Sequence, residues 1–120
     1  MAKLLIVDDE ADVREFAANF FRKRKVEVVT AADGQKAVAL AQKEKPRLIL
    51  LDIKMPDMDG IATLEEIRKI DNAVKVIMVT GRDPQEEGSF KRCQELGAID
   101  YIHKPLKLEE LERVVLRALR

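Results

Sequence analysis

Arg47-Leu-Ile-Leu-Leu-Asp52-Ile-Lys-Met-Pro56-Asp-Met-Asp-Gly60 is an apolar run stopped by a single aspartate and followed at once by proline, aspartate and glycine. Consecutive aliphatic side chains suit a short strand buried on both faces, and the Pro, Asp and Gly after it suit a turn. The stretch therefore carries one carboxylate, Asp52, from the interior to the surface. An aspartate after a strand can equally cap a helix or close the turn. What Asp52 does depends on what the rest of the chain brings beside it.

The same pattern recurs on both sides. Lys3-Leu-Leu-Ile-Val7 is an apolar run ended by Asp8-Asp9-Glu10, and Lys75-Val-Ile-Met-Val-Thr80 ends in Thr80-Gly81. Val26-Glu-Val-Val-Thr30 and Ala98-Ile-Asp-Tyr-Ile102 are two further short strands, the second followed by Lys104-Pro105. Between them the period changes to that of a helix. Val13, Phe16, Ala17 and Phe20 form a stripe from Asp12 to the basic run Arg22-Lys-Arg-Lys25, which complements a helix C-terminus. Asp33-Gly34 turns into Gln35–Glu44, with Ala37, Leu40 and Ala41 on one face, and Lys45-Pro46 stops that helix because proline disfavours helical geometry in the residue before it. Ile61, Leu64 and Ile67 follow Gly60. Phe90, Cys93 and Leu96 lie between the start signal Asp83-Pro84 and the stop signal Gly97, with an interruption at Gly88-Ser89. Leu108, Leu111, Val115 and Ala118 mark a last helix.

Strands and helices that alternate five times with short connections predict an α/β fold: a doubly wound, five-stranded parallel sheet with five helices on both faces, one domain over residues 1–120. A chain of 120 residues is long enough for one core without staples. Basic and acidic residues number 22 each, so the chain alone has no basic excess to draw it to nucleic acid or to an anionic membrane. Cys93, the single cysteine, has no internal partner and reads as a small buried hydrophobe in a reducing, cytoplasmic compartment. No apolar run approaches the ~18 residues of a membrane span, and no signal peptide opens the chain.

Doubly wound sheets bind ligands outside the carboxyl ends of their strands. Asp8 and Asp9 follow the first strand, Asp52 the third, Thr80 the fourth and Lys104 the fifth, so all five should meet at one edge. Three carboxylates gathered there raise each other's proton affinity unless a cation compensates. Oxygen donors with room for water suit Mg²⁺, or Mn²⁺, better than Zn²⁺, for which only His103 and Cys93 offer softer atoms. A nucleophilic carboxylate, a divalent cation, a hydroxyl and a fixed ammonium are the set that phosphoryl transfer onto an aspartate requires.

From Leu4 to Leu119 the chain resembles the receiver domain of two-component response regulators. The resemblance rests on Val7-Asp8-Asp9-Glu10, on Leu51-Asp52 through Asp59-Gly60, and on Val79-Thr80-Gly81, Gly97-Ala98 and Tyr101-Ile-His-Lys104-Pro105. It implies the strand order 2-1-3-4-5 and a phosphorelay function. Asp52 would accept a phosphoryl group from a phosphohistidine on a sensor histidine kinase or phosphotransfer protein. Asp8, Asp9, Asp52 and the backbone carbonyl of Lys54 would hold Mg²⁺. Thr80 and Lys104 would meet the phosphoryl oxygens, Lys104 through a cis peptide to Pro105. Tyr101 would change rotamer with Thr80, switching the surface of helix four, strand five and helix five for an effector domain or protein, or for a homodimer. Such a domain catalyses its own phosphorylation and dephosphorylation and turns over no external substrate. Lys54 and Arg82 occupy positions that tune the lifetime of the acyl phosphate.

Two departures from the family pattern concern the fourth helix: the segment from Thr80 to Lys104 is slightly long, and Gly81 stands where alanine is more common. With Gly88-Ser89 they predict a helix that is displaced or partly unwound. Asp8 or Asp12 is a candidate cap for the first helix, Asp57 and Asp59 are candidate turn and cap residues, and His103 reads as an exposed strand end. A flavodoxin-like or phosphatase-like catalyst is one rival, opposed by acid where a phosphate loop would need glycine and hydroxyls. A pseudo-receiver that only docks is another. The chain stops at Arg120, just past the last helix, as either a stand-alone regulator or a piece of a longer one.

Overall fold

A computed structural model describes residues 3–56, 58–81 and 87–120, with the side chains of residues 87–89 outside that description. Among the described residues strands and helices alternate: β1 (Lys3–Val7), α1 (Ala11–Arg22), β2 (Glu27–Ala31), α2 (Gly34–Glu44), β3 (Leu48–Asp52), α3 (Gly60–Ile70), β4 (Lys75–Thr80), α4 (Glu87–Glu95), β5 (Asp100–His103) and α5 (Leu108–Leu119). The strands pair in parallel in the order β2-β1-β3-β4-β5. The order reverses between β1 and β3, where a doubly wound sheet opens its ligand crevice.

Successive residues of a strand face opposite sides, which divides the core into two layers. Leu4, Ile6, Leu48, Leu50, Ile77, Val79 and Ile102 pack against Ala17, Ala18 and Phe21 of α1 and the apolar face of α5. Leu5, Val7, Ile49, Leu51, Val76 and Met78 pack against Ala37 and Ala41 of α2, Leu64 and Ile67 of α3, and Cys93 of α4. Burial on both faces is why these strands read as unbroken apolar runs.

The helix faces differ in detail from the spacing. The buried residues of α1 are Ala17, Ala18 and Phe21, whereas Phe16 is 49% exposed. The apolar stripe is wider than the contact with the sheet, and two adjacent alanines let the helix sit close while Phe21 fills the gap beside them. In α5 Leu108 is exposed and Val114 and Leu119 are buried. α4 runs through Gly88-Ser89 without interruption, contrary to expectation. The start signal at Asp83-Pro84, Arg82 and Asp57 lie outside the described residues.

Turn chemistry explains the ends. Asp33 and Asp59 cap α2 and α3, accepting from the amides of Lys36 and Ala62 at 2.8 Å each. Lys45 leaves the helical region for φ 48° ahead of Pro46. Neither Asp8 nor Asp12 caps α1: the cap position is Glu10, without a side-chain cap bond, and Asp8 Oδ1 accepts the Glu10 amide at 2.9 Å.

Gly60 matters most for the site. A Cβ there would lie 2.3 Å from the Asp52 carbonyl oxygen and 2.6 Å from Ile53 Cα, both backbone atoms, and the Gly60 amide donates to the Ile53 carbonyl at 2.7 Å. The first turn of α3 rests directly on the backbone that carries Asp52. Gly60→Ala is expected to destabilise the fold by about 1–3 kcal/mol through overpacking. Urea unfolding measures it, and a loss under about 0.5 kcal/mol would show that the backbone yields.

Candidate phosphorylation site

Asp8 follows β1 directly and Asp52 ends β3, so the reversal point between these neighbours places two carboxylates side by side at the sheet edge. Both are nearly inaccessible, at 4% and 2% exposure. Lys104, just past β5, is anchored by its amide to the Thr80 carbonyl at 2.9 Å, and its peptide to Pro105 is cis. Its Nζ stands 3.1 Å from Asp52 Oδ2, 3.2 Å from Asp8 Oδ2 and 3.0 Å from Glu10 Oε1. One ammonium thus serves three carboxylates.

The electrostatics follow from that ratio. Burial, and then the charge of Asp8, push the Asp52 carboxyl up to about 6, while Lys104 and the Lys54 amide at 3.3 Å pull the other way. Burial would by itself favour a neutral amine at Lys104, but hydrogen bonds to Glu10 and Asp52 and the charges of Asp52 and Asp8 outweigh it and hold the ammonium above its ordinary range. The two shifts agree: the lysine gains three partners, whereas Asp52 has a third of one lysine and a buried acid beside it.

Asp9, Glu10, Asp52, Lys54, Met55, Pro56, Gly81 and Lys104 line one open concavity of about 530 Å³. Carboxylate oxygens of Asp8, Asp9 and Glu10 lie within 4.8 Å of one another. An all-oxygen, partly solvated donor set with excess negative charge fits Mg²⁺. In the sequence Glu10 is marked only as part of an acidic run. That it turns to Lys104 follows from the fold of the β1–α1 turn and has no signal in the sequence. Nothing in the local sequence marks Arg14, whose Nη1 donates to the Asp8 carbonyl at 2.9 Å.

Thr80 and Tyr101 belong to the other layer. Asp52 is in register with Val79, so Thr80 lies one residue beyond the point opposite Asp52, facing the same side as Met78 and its register partner Tyr101. Thr80 is buried. The Tyr101 ring stacks on Phe90 of α4, centroids 4.5 Å apart, and its hydroxyl donates to the Phe90 carbonyl at 3.3 Å. Burial pushes the phenol up to about 12. Cys93 is fully buried on the inner face of α4, and His103 is exposed at the end of β5. Beside the acidic concavity lies an apolar groove of about 640 Å³ between Val13 and Phe16 of α1 and Pro105 and Leu106. No helix among the described residues is long and apolar enough to cross a membrane.

Comparison with known proteins agrees with this geometry. Over 113 residues the chain is 36% identical to sporulation initiation phosphotransferase F of Bacillus subtilis, covering 94% of this chain and 90% of that protein. It is 41% identical over 118 residues to the probable transcriptional regulator ycf27 of Guillardia theta, covering 98% of this chain and 45% of that protein. The chain thus spans less than half the length of that regulator. The chemotaxis protein CheY4 of Vibrio cholerae superposes with a TM-score of 0.91 at 31% identity, covering 99% of both chains. The family model described as the response regulator receiver domain matches residues 4–116. With a parallel sheet of that order and the acidic edge at its reversal point, the chain belongs to the response-regulator receiver-domain family.

Proposed function

We propose that Asp52 is the phosphoacceptor of this receiver domain, with Asp8, Asp9, Asp52 and the Lys54 carbonyl as the ligands of Mg²⁺ (or Mn²⁺). The observation that carries this is the single ammonium of Lys104 held within 3.2 Å of Asp8, Glu10 and Asp52. A carboxylate oxygen of Asp52 attacks the phosphorus of a donor phosphohistidine, the new O–P bond forms as the P–N bond breaks, and the imidazole leaves with a proton from solvent. Mg²⁺ supplies positive charge to the carboxylates and the phosphoryl oxygens. Lys104 already lies on Asp52 Oδ2, where the phosphoryl group must arrive, so its charge needs little reorganisation. Thr80 offers a hydroxyl to the same group.

Tyr101 and Phe90 tie β5 to α4, which makes α4, β5 and α5 the surface that responds. A histidine kinase or phosphotransfer protein would reach the site over the groove between α1 and Pro105, and an effector domain, an effector protein or a second copy would read the switched face. The whole of residues 1–120 acts as this one domain, in the cytoplasm.

Purified protein incubated with MgCl₂ and a small acyl phosphate is expected to gain one acid-labile phosphoryl group by intact mass, and none when EDTA replaces the metal. An unchanged mass with metal present would sink the proposal.

A further inference from the structure

We infer that Arg14 is a positioning residue for the divalent-cation site, holding the peptide that joins Asp8 to Asp9. The inference rests on the function proposed above. The carbonyl of Asp8 and the amide of Asp9 form one peptide unit, and its orientation sets the directions in which the two carboxylates leave the turn. Arg14 Nη1 donates to that carbonyl at 2.9 Å, while the Asp8 amide donates to the Ala31 carbonyl at 3.2 Å and Asp8 Oδ1 accepts the Glu10 amide at 2.9 Å. Asp8 is therefore gripped at its amide by the end of β2, at its carboxylate by the turn, and at its carbonyl by α1.

The grip opposes a real force. Asp8, Asp9 and Glu10 are consecutive acids whose carboxylates approach within 4.8 Å, and their repulsion favours turns that spread them apart. Lys104 restrains Asp8 and Glu10 through their side chains. Arg14 restrains the backbone, which no side-chain ion pair does. Only 17% of its side chain is exposed, and its other charged neighbour, Glu15, is 3.9 Å away and mostly in solvent, too weak a contact to order it. Removing a partner that orients a metal ligand typically weakens metal binding by about 10–100-fold.

The direction of the effect separates positioning from plain electrostatics. A nearby guanidinium repels Mg²⁺, so if Arg14 acted by charge alone, Arg14→Met would tighten binding. If it positions the turn, Arg14→Met weakens binding. Mg²⁺ affinity is measured by titrating MgCl₂ into metal-free protein and following backbone amide resonances. Thermal midpoints in EDTA and phosphoryl uptake at saturating Mg²⁺ are recorded alongside. Arg14→Met is expected to raise the Mg²⁺ Kd about 10-fold or more, with uptake at saturating metal near wild type. Arg14→Lys, which keeps the charge and one donor, recovers most of the affinity. If Arg14→Met shows no cooperative transition in EDTA, Arg14→Gln takes its place under the same criterion. A Kd equal to or tighter than wild type in the folded variant overturns the role of Arg14 alone. Absence of a saturable response in wild type overturns the proposed function, and this inference with it.

Discussion

Asp52→Asn is expected to abolish phosphoryl uptake and, in metal-free buffer at neutral pH, to make the protein more stable. The loss follows because an amide is no nucleophile for phosphorus at neutral pH. The gain follows from the geometry of the acidic edge. Asp52 is 2% exposed, and burial together with Asp8 lifts its carboxyl from 3.8 to about 6. Asparagine removes that buried charge and leaves no orphan behind, because Lys104 keeps Asp8 at 3.2 Å and Glu10 at 3.0 Å. After allowance for solvent at the mouth of the site, a shift of this kind amounts to about 1–2 kcal/mol.

The pH dependence has a definite sign. Between about 4 and 6 the folded carboxyl holds a proton that the unfolded one has released, so the stability Asp52 contributes falls as pH rises through that window and is flat above it. The advantage of Asp52→Asn is therefore largest above pH 6 and closes on acidification toward pH 4. Urea unfolding of both proteins in EDTA across this range measures it. A variant less stable than wild type at neutral pH would show that the carboxylate is a net stabilising partner of Lys104.

Lys104→Met is expected to move stability the other way. Its removal leaves two nearly inaccessible carboxylates, Asp8 and Asp52, next to each other without their shared cation. Breaking a buried ion pair from one side costs roughly 3 kcal/mol or more. Acidification relieves that cost by protonating Asp52, so the deficit should shrink toward pH 4. With Mg²⁺ saturating, the rate of phosphoryl uptake should fall by about 10²–10³-fold, the usual loss when one preorganised charge is removed from a transition state. In the double variant Lys104→Met/Asp52→Asn the two stability changes should fail to add, because the charge repulsion unleashed by the first is what the second removes. Stability unchanged in Lys104→Met, with uptake intact, would mean that the ammonium sits beside the acids without serving them.

Much of the candidate site was legible in the chain because strand ends are legible. Apolar runs that halt at Asp8, Asp52, Thr80 and Lys104 mark where a buried strand surfaces, and in a parallel α/β sheet all strands surface toward the same edge. Proline and glycine signals gave the stops at Lys45 and Gly97 for equally local reasons. Helix faces were less legible. The spacing around Phe16 and Leu108 marks an apolar stripe but not which part of it meets the sheet, and both residues turn out exposed while Ala18 and Val114 are buried. Gly88-Ser89 weakens a helix without breaking it, because a cost of about 1 kcal/mol is small enough for tertiary packing to override, and α4 buries Cys93.

By itself the sequence determined the order of elements, the two-sided burial of the strands and the chemical character of one edge, since these depend on residue type and local period alone. Only the tertiary structure decided how the charges are shared: one Lys104 among Asp8, Glu10 and Asp52, Arg14 turned back onto the Asp8 carbonyl, Thr80 one step past the residue opposite Asp52, and α3 resting on the Asp52 backbone through Gly60. Each of these depends on strand register, loop closure and the seating of helices on a twisted sheet. Those are non-local quantities, settled when segments as far apart in the chain as Asp8 and Lys104 pack together.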